Sequence, residues 1–262
     1  MAESTEGIVL RRIDYSETSL VVHFFTPDFG QVGALAKGAK RPKSRFQGGV
    51  DVLTRNEIVF ARRGPASLAT LMESAILDDY VGLRADLERL TRAQYCVELV
   101  SLLTTEEDPN PALYDLLVRT LERLSSGSGH LVAHTIRFEI GILSAAGYGI
   151  DWQRCIACGG ALGGDAGGYL SAASGGVVCG RCAERTREKA ALAPGALAAA
   201  RLLATGARRA ERLRLADNQT RPLGLALSRY ITYVVGRPPK MLKYIGAISE
   251  GKRPAASTAE GS

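Results

Sequence analysis

The sequence lacks the long hydrophobic segments that mark membrane or secreted proteins. No uncharged apolar stretch approaches the roughly 18 residues that a membrane-spanning helix requires. The chain begins Met-Ala-Glu-Ser-Thr-Glu, which is acidic and polar, whereas a signal peptide begins with a basic segment followed by an apolar one. We therefore predict a protein that works in the cytoplasm and has no membrane partner.

Motifs for common catalytic chemistries are also missing. No Gly-rich loop ending in Gly-Lys-Ser or Gly-Lys-Thr occurs, so P-loop ATP hydrolysis is not indicated. No Gly-x-Ser-x-Gly nucleophile elbow occurs either. Histidine is scarce: two of the three, His130 and His134, are four residues apart, as helical metal ligands can be, but no HExxH motif accompanies them. These absences predict a protein that is not an enzyme.

Cysteine is sparse, but its placement is informative. Four of the five cysteines form two pairs, Cys155-x-x-Cys158 and Cys179-x-x-Cys182, with 20 residues between the pairs. Two such pairs facing each other supply the closed tetrahedral sulfur cage that Zn²⁺ prefers. Because four thiolates leave no open coordination position, one structural Zn²⁺ is predicted. The alternatives are two disulfides or four unrelated core cysteines.

The surroundings of the cysteines fit a metal site in a reducing compartment. Residues 151–185 are rich in glycine and poor in large apolar residues, so this stretch needs a metal to hold it together. The fifth cysteine, Cys96, lies in an apolar helical pattern and is predicted to be a buried thiol. With four of five cysteines in one metal site, we expect a cytoplasmic protein and not a disulfide scaffold.

The N-terminal residues 1–80 have the pattern of short β-strands. Their apolar runs are rich in β-branched and aromatic residues and are separated by glycine and proline turns. Five short strands without a convincing helix predict a small barrel, for which the OB-fold is the economical choice. The predicted strands cover residues 7–13, 19–25, 31–36, 56–61 and 67–75.

From about residue 80 the apolar spacing changes to that of amphipathic helices. The fold class is therefore α+β and multidomain, with a five-stranded OB-fold barrel followed by an α-helical domain that carries a four-cysteine zinc module. The predicted domains are the barrel at 1–80, the helical domain at 81–150 and 186–248, the inserted zinc module at 151–185, and a disordered tail at 249–262.

Positive charge is concentrated early in the chain, although the formal net charge is only +6. Residues 37–45 hold five cations and no acid, which is costly unless an anion compensates them. On an OB-like barrel such a loop, with exposed aromatics such as Phe29 or Phe46, would follow a phosphate backbone and stack bases. The alternative is a solvated loop that aids solubility. The predicted DNA-binding residues are Lys37, Lys40, Arg41, Lys43, Arg45, Arg62 and Arg63.

A second basic block covers residues 201–244, with ten cations against two acids. A solvated helix with internal Glu–Arg pairs explains this block nearly as well as nucleic-acid binding does. The segment 237–244 can equally cap the last helix. The predicted secondary basic site consists of Arg208, Arg209, Arg212 and Arg214.

Three N-terminal segments resemble the RecO family of bacterial DNA-repair proteins. They read EGIVLRRIDYSE at residues 6–17, FTPDFG at 25–30 and AKGAKRPKSR at 36–45. The cysteine pairs match the zinc-binding members of that family, and residues 229–244 resemble the family's C-terminal helix more loosely.

The resemblance implies a recombination mediator of the RecF-type repair pathway. Such proteins bind single- and double-stranded DNA, anneal complementary strands and, with the ring-forming protein RecR, help load RecA onto DNA covered by single-strand-binding protein. The C-terminal tail of that binding protein is a further implied partner, expected near residues 201–214. The implied location is the nucleoid region of the cytoplasm.

A hypothesis of a different class is a zinc-stapled protein–protein adaptor. In it, the zinc module and the helices contact a partner, and DNA binding is incidental. A metal-dependent deaminase is a third class, but it requires an open metal position and a glutamate acid/base, and a four-thiolate set offers neither.

Overall fold

The computed structural model describes residues 2–46, 50–62, 64, 67–163, 166–205 and 215–249. Its N-terminal part is a closed five-stranded barrel with the strand order β1-β2-β3-β5-β4. All neighbouring strands are antiparallel except β3 and β5, which are parallel. The predicted OB-like barrel is therefore confirmed. The strands are β1 (Ala2–Asp14), β2 (Leu20–Thr26), β3 (Gly30–Ala36), β4 (Arg55–Ala61) and β5 (Ala69–Asp78).

Residues 7–10 of strand β1 are buried on both faces of the strand. Val9 packs in the barrel core with Phe24, its partner across β2. Ile8 and Leu10 belong instead to the core formed with the helices, together with Phe25. The apolar run of β1 is continuous and not alternating because each face of the strand is covered by a different core.

Helices follow the barrel and surround the second core. A 3-10 turn (Val81–Ala85) precedes the first helix, although the apolar spacing is helical from about residue 80. The first α-helix begins later because the Asp86 side chain caps it, accepting from the backbone N–H groups of Glu88 and Arg89. The α-helices are α1 (Leu87–Leu103), α2 (Pro111–Ser126), α3 (Leu131–Ala145), α4 (Gly180–Ala183), α5 (Pro194–Ala204), α6 (Asp217–Val235) and α7 (Leu242–Ser249).

None of the helices in the described part of the chain has the length and apolar character needed to cross a membrane. The predicted disordered tail, apart from its first residue at the end of α7, lies outside the described residues.

A small sheet carries the cysteine-rich segment. Its strands have the order β7-β6-β8 and are antiparallel. The third strand comes from residues after the proposed module boundary at 185, so this sheet continues into the chain that leads to α5. The strands are β6 (Gly168–Ser171), β7 (Gly176–Val178) and β8 (Ala190–Leu192).

Gln31 of β3 connects the barrel to the end of α1. Its Nε2 donates to the carbonyl oxygen of Thr104 at 2.7 Å and lies 3.0 Å from the hydroxyl of the same residue. Its backbone N–H donates to the carbonyl oxygen of Thr105 at 3.1 Å. Carbonyl groups at a helix C-terminus lack partners within the helix, so these bonds satisfy them from the barrel.

A buried carboxyl group lies between α1 and α3. Glu139 accepts a 2.7 Å hydrogen bond from the Tyr95 hydroxyl, and both side chains are buried. Burial raises the pKa of Glu139 to about 7, although the Tyr95 hydrogen bond and the nearby Arg92 guanidinium lower it. The folded protein therefore keeps a proton on Glu139 at pH values where an exposed glutamate is ionised.

This shift predicts that Glu139 destabilises the fold as pH rises. Between the ordinary value of 4.5 and about 7, the unfolded chain loses the proton while the folded chain keeps it. The free energy of unfolding should therefore fall over this window, by about 3 kcal/mol. The variant Glu139→Gln retains a hydrogen-bonding group for Tyr95 and should lose this pH dependence. Urea unfolding at about pH 5 and pH 8 measures both effects.

The exposed residue Glu122 provides the control for this prediction. Glu122→Gln removes the same charge from the surface of α2 and should unfold with the pH dependence of the wild type. An unchanged pH dependence in Glu139→Gln would contradict the assignment of the proton to Glu139.

Candidate metal centre and nucleic-acid interface

The four paired cysteines come together in the fold. Their sulfur atoms all lie within 4.8 Å of one another, and the Sγ atoms of Cys158 and Cys179 are 4.0 Å apart. A tetrahedral zinc–thiolate site, with Zn–S bonds of about 2.3 Å, places its sulfurs about 3.8 Å apart. All five cysteines are free thiols, so the disulfide alternative is not what the structure contains. The four sulfurs are close enough to bind one metal ion.

Two short turns position the cysteines. In the first, the N–H of Gly159 donates to the carbonyl oxygen of Cys155, and the N–H of Cys155 donates to that of Gly160, both at 2.8 Å. Gly159 has a φ angle of 70°, which favours glycine. In the second, Cys179 directly precedes α4, which contains Cys182. Each pair thus projects two sulfurs from one tight turn.

Backbone N–H groups favour the thiolate forms of Cys155 and Cys179. Burial alone would raise the pKa of Cys155. Hydrogen bonds from the backbone N–H groups of Cys179, Cys158 and Ala157 outweigh this effect and lower the pKa to about 6. The N–H of Cys182 lowers the pKa of Cys179. Hydrogen bonds with the other sulfurs, Cys179 first, raise the pKa of Cys182 to about 12. Since a metal binds thiolates, donors aimed at these sulfurs fit a metal centre.

The cysteine cluster is fastened to the helical core. The N–H of Ile156 donates to the carbonyl oxygen of Val177 at 2.8 Å, which joins the first turn to β7. Arg201 of α5 donates to the carbonyl oxygens of Trp152 and Leu162 on either side of that turn. A metal at the sulfurs would therefore hold the second turn against a first turn that is already anchored.

Metal content provides a direct test of the four-cysteine site. The purified protein should contain about one Zn²⁺ per chain, as four-thiolate sites do. Cys155→Ala should lose the metal and lower the melting temperature, because metal binding contributes to folding. Cys96→Ala is the matched control: it removes the buried fifth thiol and should retain the metal. Elemental analysis showing equal zinc in both variants would contradict the site.

The basic loop, defined as residues 37–46, lies at the rim of the barrel after β3. It consists of successive turns: the N–H of Arg41, for example, donates to the carbonyl oxygen of Gly38 at 3.1 Å. The N–H of Lys40 donates to the carbonyl oxygen of Thr18 at 3.0 Å, and the N–H of Gly38 to the Ser19 hydroxyl at 3.3 Å. The loop is therefore attached to the turn between β1 and β2.

The side chains of the basic loop are displayed to solvent. Lys40 forms an ion pair with Asp14 at 2.8 Å. No carboxylate among the described residues pairs with the other four cations of the loop. Their charges are therefore available to an external anion, and the Arg45 guanidinium also lies 4.9 Å from the centre of the Phe46 ring. The five cations, all exposed, are Lys37, Lys40, Arg41, Lys43 and Arg45.

Arg62 is placed differently from the loop cations. Its side chain is 20% exposed and pairs with Glu3 at 3.0 Å and with Glu107 at 3.4 Å. Its guanidinium also lies 5.2 Å from the centre of the Phe29 ring. These contacts engage Arg62 within the protein and leave it less available to a phosphate. Arg63 lies outside the described residues.

The expectation of exposed aromatics in the loop is wrong. Phe46 is only 1% exposed because it packs in the barrel core. Phe29 packs edge-on against Phe60, with ring centres 5.4 Å apart. The exposed aromatic beside the loop is Tyr15, which is 62% exposed in the turn between β1 and β2. Sequence reasoning missed Tyr15, although its position between the polar residues of a turn was a usable signal.

The second basic block is described in part, over residues 201–205 and 215–244. Its proposed residues Arg208, Arg209, Arg212 and Arg214 lie outside the described residues. Arg201, at the start of this block, donates its hydrogen bonds to carbonyl groups inside the protein.

The segment before α7 is capped by a side chain of α1. The carboxylate of Glu98 in α1 accepts from the backbone N–H groups of Lys240 at 2.7 Å and Met241 at 2.8 Å. A carboxylate is favourable at the start of a helix, so Glu98 fastens the C-terminal helix to α1.

Comparison with known proteins gives two adjoining family matches. The family described as Recombination protein O, N terminal, matches residues 1–80, which contain the barrel. The family described as Recombination protein O, C terminal, matches residues 84–243, which contain the helices and the cysteine cluster.

Curated relatives agree with these matches. A protein of Pelotomaculum thermopropionicum is 32% identical over 255 residues, covering 97% of this chain and 96% of the relative. A protein of Rhodopirellula baltica is 36% identical over 177 residues, covering 67% of this chain and 65% of the relative. One of Halalkalibacterium halodurans is 32% identical over 185 residues, covering 71% and 70%.

All three relatives carry the name DNA repair protein RecO. The two domain matches lie in the expected order, and one relative aligns over nearly the full length of both chains. The chain belongs to the Recombination protein O (RecO) family.

Proposed function

We propose that this protein is a DNA-binding recombination mediator that carries out no bond-making or bond-breaking step. It binds single- and double-stranded DNA and promotes the annealing of complementary strands. The observation that supports this most directly is the group of four exposed, unpaired cations on the rim of an OB-like barrel. The relatives are named DNA repair proteins, so the proposed role of these cations is to bind DNA during repair.

The basic loop contributes by neutralising phosphates. Two complementary strands repel each other through their backbones, and cations that contact both strands reduce this repulsion. The loop is attached by backbone hydrogen bonds to the turn between β1 and β2, so its cations are held at the rim before DNA arrives. Less conformational entropy is then lost on binding.

The outer face of the barrel beside the loop suits unpaired bases. Ile13 of β1 lies opposite Val21 of β2, which lies opposite Leu35 of β3. This row is half-buried or exposed and adjoins the turn that carries Tyr15. OB-folds bind oligonucleotides on the face of strands 2 and 3 and on the β1–β2 and β4–β5 loops. Apolar and aromatic contacts are sequence-tolerant because every base has a π-face.

The proposal includes one structural Zn²⁺, held by Cys155, Cys158, Cys179 and Cys182. Bound there, the ion would supply a cross-link between two turns and no reactive position. The cysteine cluster and the basic loop belong to different parts of the fold, so the metal affects DNA binding only through stability.

The proposal extends to the partners of the RecO family. With RecR, the protein would help RecA replace single-strand-binding protein on DNA, and the acidic C-terminal tail of that binding protein would be a contact. The location would be the cytoplasm, at the nucleoid.

Salt dependence tests the basic loop directly. Replacing Lys37, Arg41, Lys43 and Arg45 together by alanine removes the four unpaired charges. If each contacts one phosphate, the slope of log affinity against log salt for single-stranded DNA should become less negative by about 3. Fluorescence anisotropy over a salt series measures affinity and slope together.

The matched control removes the same charge elsewhere. Alanine at four exposed arginines around the cysteine cluster should leave the slope close to that of the wild type. A loop variant that binds like the wild type would contradict the assignment and favour the adaptor hypothesis. The control arginines are Arg154, Arg181, Arg185 and Arg187.

A further inference from the structure

A pocket opens at the barrel rim between the basic loop and the end of β1. We call it the rim pocket; its volume is about 310 Å³. Ligand pockets in proteins range from about 300 to 1,000 Å³, so this one suits a single small heterocycle and not a larger ligand. It lies among the cations of the basic loop, on the proposed DNA-binding surface of the barrel rim.

The floor of the rim pocket is apolar. It is formed by Leu20 of β2, Ala39 and Phe46 of the basic loop, and Val50. Leu20, Phe46 and Val50 are buried, with exposed fractions of 6% or less. A flat, weakly hydrated ring gains by contact with such a floor because the contact removes apolar surface from water.

The wall of the rim pocket carries two ion pairs. Arg12 pairs with Asp51, and Lys40 pairs with Asp14. In each pair the cation contacts Oδ1, so that Oδ2 can accept a hydrogen bond from another donor. Both carboxylates reach solvent, since their side chains are 48% and 78% exposed. The wall therefore offers acceptors and donors side by side above an apolar floor.

We propose that the rim pocket binds one unstacked nucleobase of a DNA single strand, and that its carboxylates favour cytosine over thymine. This inference rests on the proposed DNA binding and specifies how one part of the strand is held. The strand is the source of the base because the exposed cation Arg41 lines the pocket and Lys43 and Arg45 follow it along the loop. They suit the phosphates that flank a captured base.

The preference follows from the hydrogen-bonding edges of the bases. Cytosine presents an amino group that donates to a carboxylate, and Asp is a known acceptor for it. Thymine presents a carbonyl oxygen at the same position, and two acceptors facing each other repel. Asp51 would thus accept from cytosine, while Arg12 donates to the adjacent acceptor atoms of the base. The expected discrimination is modest because the remaining contacts are sequence-tolerant.

Binding of oligo(dC) and oligo(dT) tests the inference. Strands of about 12 nucleotides, near the site size of one OB-fold, are titrated at fixed low salt and neutral pH. The wild type should bind oligo(dC) about fivefold more tightly, the lower end of discrimination by one good side chain–base contact. Equal affinities would overturn the inference. Failure to bind either strand would overturn the proposed DNA binding as well.

Two variants identify the pocket as the cause. Ala39→Leu fills the pocket without changing its charge. Asp51→Asn replaces one carboxylate oxygen with an amide nitrogen, which donates a hydrogen bond and so can also serve thymine. In each, the ratio of oligo(dC) to oligo(dT) affinity should fall towards one while oligo(dT) remains bound. Asp51→Asn also removes a negative charge and should raise the affinity for both strands. The ratio of the two affinities cancels this general gain. Retention of the wild-type ratio by both variants would overturn the assignment to the rim pocket.

Matched substitutions outside the pocket control for volume and charge. Ala75→Leu on β5 adds the same side chain at an exposed position, and Glu57→Gln on β4 removes the same charge. Both should keep the wild-type ratio. Loss of the preference in these controls would show that it arises from the barrel surface in general and would contradict the proposal.

Discussion

The apolar wall shared by the barrel and the helices is the feature on which the rest of the structure depends. Ile8 and Leu10 of β1 and Phe25 of β2 leave the barrel interior and join a core that continues through the helices. The Phe25 ring lies 6.2 Å from that of Tyr114 in α2. The same core reaches Trp152 beside the cysteine cluster. Barrel, helices and cysteine-bearing segment are thereby packed around continuous hydrophobic contacts.

The cations of the protein fall into two groups, those with partners inside the fold and those displayed at the barrel rim. Arg62, Arg92 and Arg201 form internal contacts with carboxylates or carbonyl oxygens. The loop at the barrel rim is held by backbone hydrogen bonds and by the buried Phe46 side chain, and four of its five cations have no carboxylate partner within the described part of the chain. Their unpaired charges carry a Coulomb cost that an anionic backbone relieves. Placement of positive charge, more than its total amount, supports the assignment of DNA to the rim.

Local patterns in the sequence predicted the features that depend on few residues. The strands of the barrel follow β-branched runs, and the joining of the cysteine pairs follows their spacing. The burial of Phe46 was not predictable, because it depends on how the loop folds back onto the barrel. The ion pairs of Arg62 with Glu3 and Glu107 were not predictable either, because these residues are far apart in the sequence. The three strands of the small sheet were not predicted, because strands of three or four residues give no usable period.

The central claim is that DNA is held at the barrel rim and not at the cysteine cluster. Amide hydrogen exchange with and without a single strand of about 12 nucleotides tests it most directly. Slower exchange is expected in residues 15–20 and 37–46 on DNA binding, with no change in residues 153–182. Protection confined to residues 153–182, with the rim unaffected, would contradict the account.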